Sequence, residues 1–562
     1  MYRYATNNNN NKGEIVMPID SFSQFKEHSV AEFFKKNKQM LGFSGKVRSL
    51  TTIVHEFTSN SLDAGEEVGI LPEIFIQLEE EGDDKYKIAV QDNCGGIPEK
   101  YLGKALGQLL AGTKFHRYVQ QRGQQGIGAS GCIMYSQITT GKPAWVRSGY
   151  KNVIIECNIG INVSKNTPVI TNLTKTMGEF SGLRIEAHLG DVRYENSGYG
   201  VYEYLKQTVL ANPHAQIEFI APDAQRYMFP RAVDVVPKPP IETKPHILGI
   251  TANDLVEFSR RIKESRISAF LAEEFSRVSS NKVKELQELL PDIDFSQPPT
   301  SLNWDTAEKL IKAVHTLKWI APATDILRPI GKENVARALQ NILNPQFIAQ
   351  SDRSPQIFHG GIPYQVEVAI AYGFTNGAHN RIMRFANRVP LLFDAGACGL
   401  TEAVKTIEWK RYRIDDFENM PIAVFVNFVS VHVPYTSAGK QAIALEEEII
   451  AEVRNAIMEA ARPVKGYLNG IVHLQERSSR RKVFLRYVAQ LAGDMSELAD
   501  MPKKKEAIKK GLVDLVEHRV GLIEEAEDAE AETAKEANAA NGAVANGQEN
   551  GNGKKDFEEK GE

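Results

Sequence analysis

Residues 122–132 read RGQQGIGASGC. Inside them, Gly126-Ile127-Gly128-Ala129-Ser130-Gly131 matches G-x-G-x-x-G, the fingerprint of a dinucleotide-binding turn. That turn needs a buried parallel strand directly before its first glycine and an acidic residue about 20 positions further on. The residues ahead of Gly126, KFHRYVQQRGQQ, are too polar and basic for such a strand. The nearest acid, Glu156, stands 25 residues beyond Gly131, inside a strand-like run. A Walker A loop fails too, because no Gly-Lys pair in the chain is followed by Ser or Thr. What the stretch offers is bare backbone at Gly123, Gly126, Gly128 and Gly131, whose amides can form an anion nest. A helix starting with CIMYSQI after Gly131 would strengthen that nest. Just upstream, LLAGTKF (109–115) adds the Thr113 hydroxyl and the Lys114 cation.

The chain before this loop supplies possible companions. Lys46 to Leu62 reads as a helix, with Val47, Leu50, Val54 and Phe57 at i, i+3, i+7 and i+10. It sets Glu56, Asn60 and Asp63 at i, i+4 and i+7, on one face beside the apolar stripe. An Asn oxygen there can ligate magnesium while a Glu accepts a proton from attacking water. Taken alone, the triplet reads as an ordinary solvated helix face. In VQDNCGGIPEK (90–100) a strand ends at Asp92 and a glycine turn follows. A carboxylate at that point can accept the exocyclic amino group of adenine, with the glycines letting backbone approach the base. A plain β-turn with Asp and Asn as turn formers fits the same residues.

The 562 residues suggest about three or four domains at roughly 100–200 residues each. Hydrophobic content of 42% and charged content of 25% are those of an ordinary globular protein. No run approaches the ~18 apolar residues that span a bilayer. The opening MYRYATNNNNNKGEIV lacks the apolar core of a signal peptide and is expected to be a short disordered arm. Four cysteines (Cys94, Cys132, Cys157 and Cys398), with no C-x-x-C and no His cluster, argue against zinc and for a reducing, cytoplasmic setting. The net charge of −4 hides an asymmetry: residues 521–562 carry −8, so the other 520 carry +4. A mildly basic body is compatible with DNA contact.

The expected class is α+β. A disordered arm (1–17) precedes an α/β sandwich (18–236), with strands at 73–80, 85–92, 153–160 and 181–190. The Pro-rich PKPPIETK (237–244) opens a small helical insert running to 310. A second α/β domain (311–520) holds strand-like runs at 365–373, 381–390 and 422–434. It continues as a long helical stretch from Lys440 to about Val520, broken near Pro463. The Ala-, Glu-, Asn- and Gly-rich tail 521–562 is expected to be disordered.

E-x-x-x-N (Glu56–Asn60), D-N-x-x-G (Asp92–Gly96) and GQQGIG (123–128), in that order, resemble the Bergerat (GHKL) ATP-binding fold of gyrase, the heat-shock chaperone, histidine kinases and MutL. NSLDA (60–64), LLAGTKFH (109–116), RGQQGIGAS (122–130), ANPHAQI (211–217), RFANRVPLLFDAGAC (384–398), WKRY (409–412) and PYTSAGKQAIA (434–444) narrow this further. Together they look like the B-subunit family of archaeal type IIB DNA topoisomerase VI, over roughly residues 20–500.

The resemblance implies ATP and magnesium as cofactors. Glu56 would activate the hydrolytic water, Asn60 would ligate magnesium, and Asp92 would read adenine, with Asp63 and Gly96 at the nucleotide. Thr113, Lys114, Gly123, Gln124, Gln125, Gly126, Ile127, Gly128, Ala129 and Ser130 would close over the triphosphate as a lid. Lys440 would be the switch lysine, reaching the γ-phosphate from the second α/β domain, the transducer. The implied partners are double-stranded DNA and an A subunit that carries the DNA-cutting tyrosine, in an A2B2 heterotetramer. Two B chains would pair on ATP binding through the arm and lid, and helices near 485–520 would dock the A subunit.

Two positions depart from the family pattern. Cys94 stands where a glycine is usual, and Leu183 stands for the threonine of G-T-[RK]-I, so the threonine hydroxyl near adenine is absent. For DNA, Trp409, Lys410, Arg411 and Tyr412 interleave aromatics with cations. RSSRRK (477–482) is a basic cluster, and the helical insert resembles a helix–two-turn–helix module. Two alternatives stay open: a MutL-like repair ATPase, which would lack ANPHAQI and the insert, and an ATP-gated DNA scaffold without turnover, suggested by Cys94 and Leu183.

Overall fold

A computed structural model describes residues 29–112, 118–123, 126–262, 266–351, 353–374, 381–437 and 439–518. The expected arm and acidic tail lie outside the described residues, as do Thr113, Lys114, Gln124 and Gln125. The chain divides into two compact units, residues 1–464 and 465–562.

In the first unit, α1 (Val30–Lys36) leads to α2 (Lys46–Val68). Helix α2 is longer than the expected Lys46–Leu62, and it stops where Gly69 adopts a left-handed φ of 74°. Leu50, Val54 and Phe57 are buried as the spacing predicts. Strands β1 (Glu73–Gly82) and β2 (Lys85–Asp92) pair antiparallel. Next come α3 (Glu99–Gly107), α4 (Gly128–Thr140), β3 (Ala144–Tyr150), β4 (Val153–Asn162), β5 (Thr167–Met177) and β6 (Gly182–Gly190). Then α5 (Val201–Ala211), β7 (Gln216–Ile220) and β8 (Arg226–Phe229) complete an eight-stranded sheet of order β5-β4-β3-β6-β2-β1-β7-β8. Helices α2, α4 and α5 share one apolar core with the sheet, built on residues such as Leu50, Ile53, Ile76, Ile88, Leu205 and Phe219.

Four short helices follow the Pro-rich segment: α6 (Ala252–Arg261), α7 (Ile267–Glu274), α8 (Ser280–Leu289) and α9 (Trp304–Thr316). They close over a core of their own around Leu255, Phe270, Leu286, Leu310 and Val314.

After α10 (Lys332–Leu343) a second sheet forms from β9 (Phe347–Gln350), β10 (Gln356–Phe358), β11 (Ile362–Tyr372), β12 (Ile382–Ala386), β13 (Val389–Pro390) and β14 (Ile422–Ser430). Its order is β10-β11-β14-β12-β13, with β9 on β11. Every residue of β14 is buried, which explains its near-continuous apolar run. The expected strand 381–390 is two strands, because Asn387 and Arg388 turn back with φ of 47° and 68°. Helix α11 (Gly399–Lys405) precedes β14.

The last helix, α12 (Glu447–Leu498), begins seven residues later than Lys440 and passes through Pro463 without ending there. A proline removes one helical hydrogen bond, but the apolar face continues on both sides of it, with Ala460, Ala461 and Val464 all buried. In the second unit residues 505–518 are helical, and the Glu517 carboxylate pairs with Arg481 of α12.

Candidate active site

A cavity of about 330 Å³ opens between α2, the end of β2 and the start of α4. Glu56, Asn60, Asp92, Gly96 and Lys440 all line it, together with Gly123 and Gly126 to Ser130. Residues separated by almost four hundred positions therefore meet at one point. Among the described residues, the expected set converges except for Asp63.

Asp92, at the end of β2, is 4% exposed. Its Oδ2 accepts from the Ser61 hydroxyl at 2.8 Å, and its Oδ1 accepts from the backbone N–H of Cys94 at 3.0 Å and of Leu183 at 3.1 Å. Burial pushes the carboxyl above its ordinary 3.8, against the pull of those donors. Around it the cavity is apolar, with Val90, Ile97, Leu106, Leu183 and Ile185. An anionic acceptor in an apolar slot suits a flat base with an amino group. Both family departures leave these two contacts intact, since each is made by a backbone N–H that any residue but proline carries. Burial, then the Asp92 charge, push the Cys94 thiol far up, so it is an inert thiol. Gly96 has a φ of 61°, and a Cβ there would lie 2.2 Å from the Gly149 carbonyl oxygen, so only glycine fits.

Helix α4 starts at Gly128, four residues earlier than the expected start at Cys132. The second half of the glycine stretch is thus the first helical turn. It has no side-chain cap and no acidic residue in its first turn. Unsatisfied N–H groups and the positive end of the helix dipole face the cavity, which is an anion site. A Cβ on Gly128 would come within 2.0 Å of Glu56 Oε2, so the glycine lets the carboxylate abut the helix start.

Glu56 is 31% exposed on the cavity side. Asn60, one helical turn on, is exposed and lines the same cavity. Among the described residues no cluster of three or more His, Cys, Asp or Glu could hold a metal ion. The residues present would fit magnesium, which the Asn60 amide oxygen and the phosphates of a nucleotide would hold. Asp63 departs from the expectation. It shares the face of Glu56 but lies about 10 Å along the axis at ~1.5 Å per residue, and its Oδ1 takes Arg122 Nη1 at 2.6 Å.

Lys440 is not at a helix start. It sits in a turn with φ of 52°, and its Nζ donates to the Arg122 carbonyl at 3.4 Å. His55 was not singled out by the sequence. Its Nε2 lies 3.8 Å from Glu56 Oε1 and its Nδ1 is 3.2 Å from the Tyr204 hydroxyl. Burial lowers its pKa, with Glu56 opposing and Lys440 adding, so it is neutral at pH 7. Trp409 stacks on Phe417 at 4.8 Å and donates from Nε1 to the Val404 carbonyl, while Lys410 and Arg411 are exposed.

Residues 45–165 match the family of histidine kinase-, DNA gyrase B- and HSP90-like ATPases, and residues 322–480 match the topoisomerase VI B subunit transducer. The B subunit of type 2 DNA topoisomerase 6 from Pyrococcus horikoshii is 44% identical, over 92% of this chain and 99% of that one. The chain belongs to the topoisomerase VI B-subunit family. The Methanothermobacter thermautotrophicus relative of the same description is 44% identical, over 90% and 98% of the two chains. The MutL-like alternative gives way to these full-length matches. The ATPase region of Saccharomyces cerevisiae topoisomerase II aligns with a TM-score of 0.39 and 10% identity, over 80% of this chain and all of that one, too distant to bear on a member of the topoisomerase VI family. Among the described residues of this family member, no helix is long and apolar enough to cross a membrane.

Proposed function

We propose that this chain binds and hydrolyses ATP in the cavity described above, as the ATPase subunit of a type IIB topoisomerase. The observation that carries the reading is the convergence of Glu56, Asn60, Asp92 and the uncapped start of α4 on one space. Asp92 accepts the adenine amino group, and the N–H groups of 128–130 face the phosphates. Glu56 accepts a proton from a water whose oxygen bonds to the γ-phosphorus. The bond from the γ-phosphorus to the bridging oxygen breaks, and ADP leaves with inorganic phosphate. Magnesium, when bound, neutralises charge on the phosphate oxygens. Lys440 moves from the Arg122 carbonyl to the γ-phosphate and reports its presence to the second sheet. Turnover by the full chain with its A subunit and DNA is the test, and background turnover in the wild type would overturn the reading.

In the same reading residues 18–236 form the nucleotide domain, 237–310 a helix–two-turn–helix module and 311–520 the transducer. The setting is cytoplasmic and DNA-associated. ATP binding pairs two B chains around DNA, and the A subunit cuts it within an A2B2 assembly. The docking surface for A is the stripe Phe484, Tyr487, Leu491 and Leu498, exposed at helical spacing on α12. Lys410 and Arg411 contact DNA phosphates, with Trp409 anchoring their turn. Phe484→Glu with Leu491→Glu is expected to abolish co-purification with the A subunit while ATP binding persists. Lys410→Gln with Arg411→Gln is expected to preserve that assembly and flatten the salt dependence of DNA binding, by up to about 0.9 of a log unit per lost phosphate contact. Intact co-purification in the first pair, or an unchanged slope in the second, would remove the corresponding surface.

A further inference from the structure

Residues 120–122, directly ahead of the glycine loop, are held from three directions. Arg122 is 7% exposed. Its Nη1 donates to Asp63 Oδ1 at 2.6 Å, and its Nη2 donates to Glu66 Oε1 at 2.5 Å and to Asn212 Oδ1 at 2.6 Å. Gln120 exchanges two hydrogen bonds with the backbone of Arg328, donating at 2.9 Å and accepting at 2.7 Å. Asn387 Nδ2 donates to the Gln121 carbonyl at 3.3 Å.

Glu66 is the meeting point. Besides Arg122, its Oε1 lies 2.9 Å from His214 Nε2 and 3.5 Å from Arg388 Nη1. Burial alone would raise this carboxyl, yet Arg122, His214 and Arg388 hold it well below the usual range. Asn212 closes the ring by donating to the Arg388 carbonyl at 3.0 Å.

Arg388 comes from the turn between β12 and β13, with a left-handed φ of 68°. That conformation costs about 1–2 kcal/mol for a residue bearing a Cβ and persists only where surroundings over-determine it. Here Asn427 Oδ1 accepts its N–H at 3.2 Å, and its Nη2 donates to the Arg328 carbonyl at 3.1 Å. Buried ion clusters are poor sources of stability, since apolar packing of equal volume does as well. This one joins α2, which carries Glu56 and Asn60, to the root of the glycine loop and to the second sheet. The carbonyl of Arg122 is also the acceptor for Lys440 Nζ.

We propose that Arg122, Glu66 and Arg388 are positioning residues that couple the glycine loop to the second sheet, setting where Lys440 meets the nucleotide. The proposal rests on the cavity being an ATPase site. Arg388 does not line that cavity, so it separates coupling from binding. In the full chain with its A subunit and DNA, Arg388→Gln is expected to lower kcat at least tenfold. Its Kd for a non-hydrolysable ATP analogue should stay within twofold of wild type. Arg388→Lys, which restores the charge toward Glu66, is expected to recover kcat to within threefold of wild type. A folded Arg388→Gln with wild-type kcat would overturn the proposal, as would parallel loss of kcat and affinity that lysine does not rescue. Glu56→Ala, run beside them, keeps the two ideas apart. If wild type and Glu56→Ala both turn over only at background the ATPase reading fails, whereas turnover lost in Glu56→Ala but kept in Arg388→Gln sinks the coupling alone.

Discussion

Glu56→Ala is expected to lower ATP turnover by roughly 10²- to 10⁴-fold, the usual contribution of a positioned general base. Affinity for ATP should change little, because in the proposed reading adenine is held at Asp92 and the phosphates at the start of α4. The effect belongs to kcat, since proton transfer occurs only as water attacks. The scaffold should tolerate the change. Glu56 lines the cavity, partly exposed, and Gly128 beside it simply loses a neighbour. Steady-state phosphate release with the A subunit and DNA present reads this out. Equal, background-level turnover in wild type and variant would return the chain to the non-hydrolysing scaffold.

Asp92→Asn is expected to act on binding instead. A hydrogen bond to a charged acceptor contributes about 1.5–3 kcal/mol, so ATP affinity should fall roughly 10- to 150-fold. The amide also sets a donor among three donors, from Ser61, Cys94 and Leu183. A pH dependence accompanies the substitution. In the proposed reading the carboxylate is a stronger acceptor for the adenine amino group than the neutral acid, and burial raises its pKa above 3.8. Wild-type affinity should therefore fall on acidification at a higher pH than an ordinary aspartate gives, and Asp92→Asn should be flat across that window. For folding the sign is reversed. The Asp92 contribution is fully present below the unfolded value and is lost as pH rises through the folded one. Calorimetric titration of ATP at several pH values measures the first effect, and an unchanged Kd in Asp92→Asn would place the base elsewhere.

Much of this site was legible as spacing. Glu56 and Asn60 fall on one face because four residues are about one helical turn, and Asp92 ends a clearly alternating strand. The misreadings have physical causes. Gly128-Ala129-Ser130-Gly131 looks like a loop because glycine is a poor helix former, but the turn is stabilised by packing through Ile133, Met134 and Tyr135, all buried. Asp63 has the right angle and the wrong height. Arg122 sits in a polar run, QQRGQQ, that reads as solvated. It is buried because Asp63, Glu66 and Asn212, 56 to 90 residues away, converge on it. No local pattern carries that information. The motif ANPHAQI was visible, yet the use of Asn212 and His214 required the fold.

The measurement that bears most directly on an ATP-driven gate is the mass of the full chain by light scattering. A non-hydrolysable ATP analogue should double the mass of both wild type and Glu56→Ala. ATP itself should hold the doubled mass only in Glu56→Ala, because the wild type hydrolyses its nucleotide and reopens. A mass that stays at one chain with the analogue in both proteins would contradict the account.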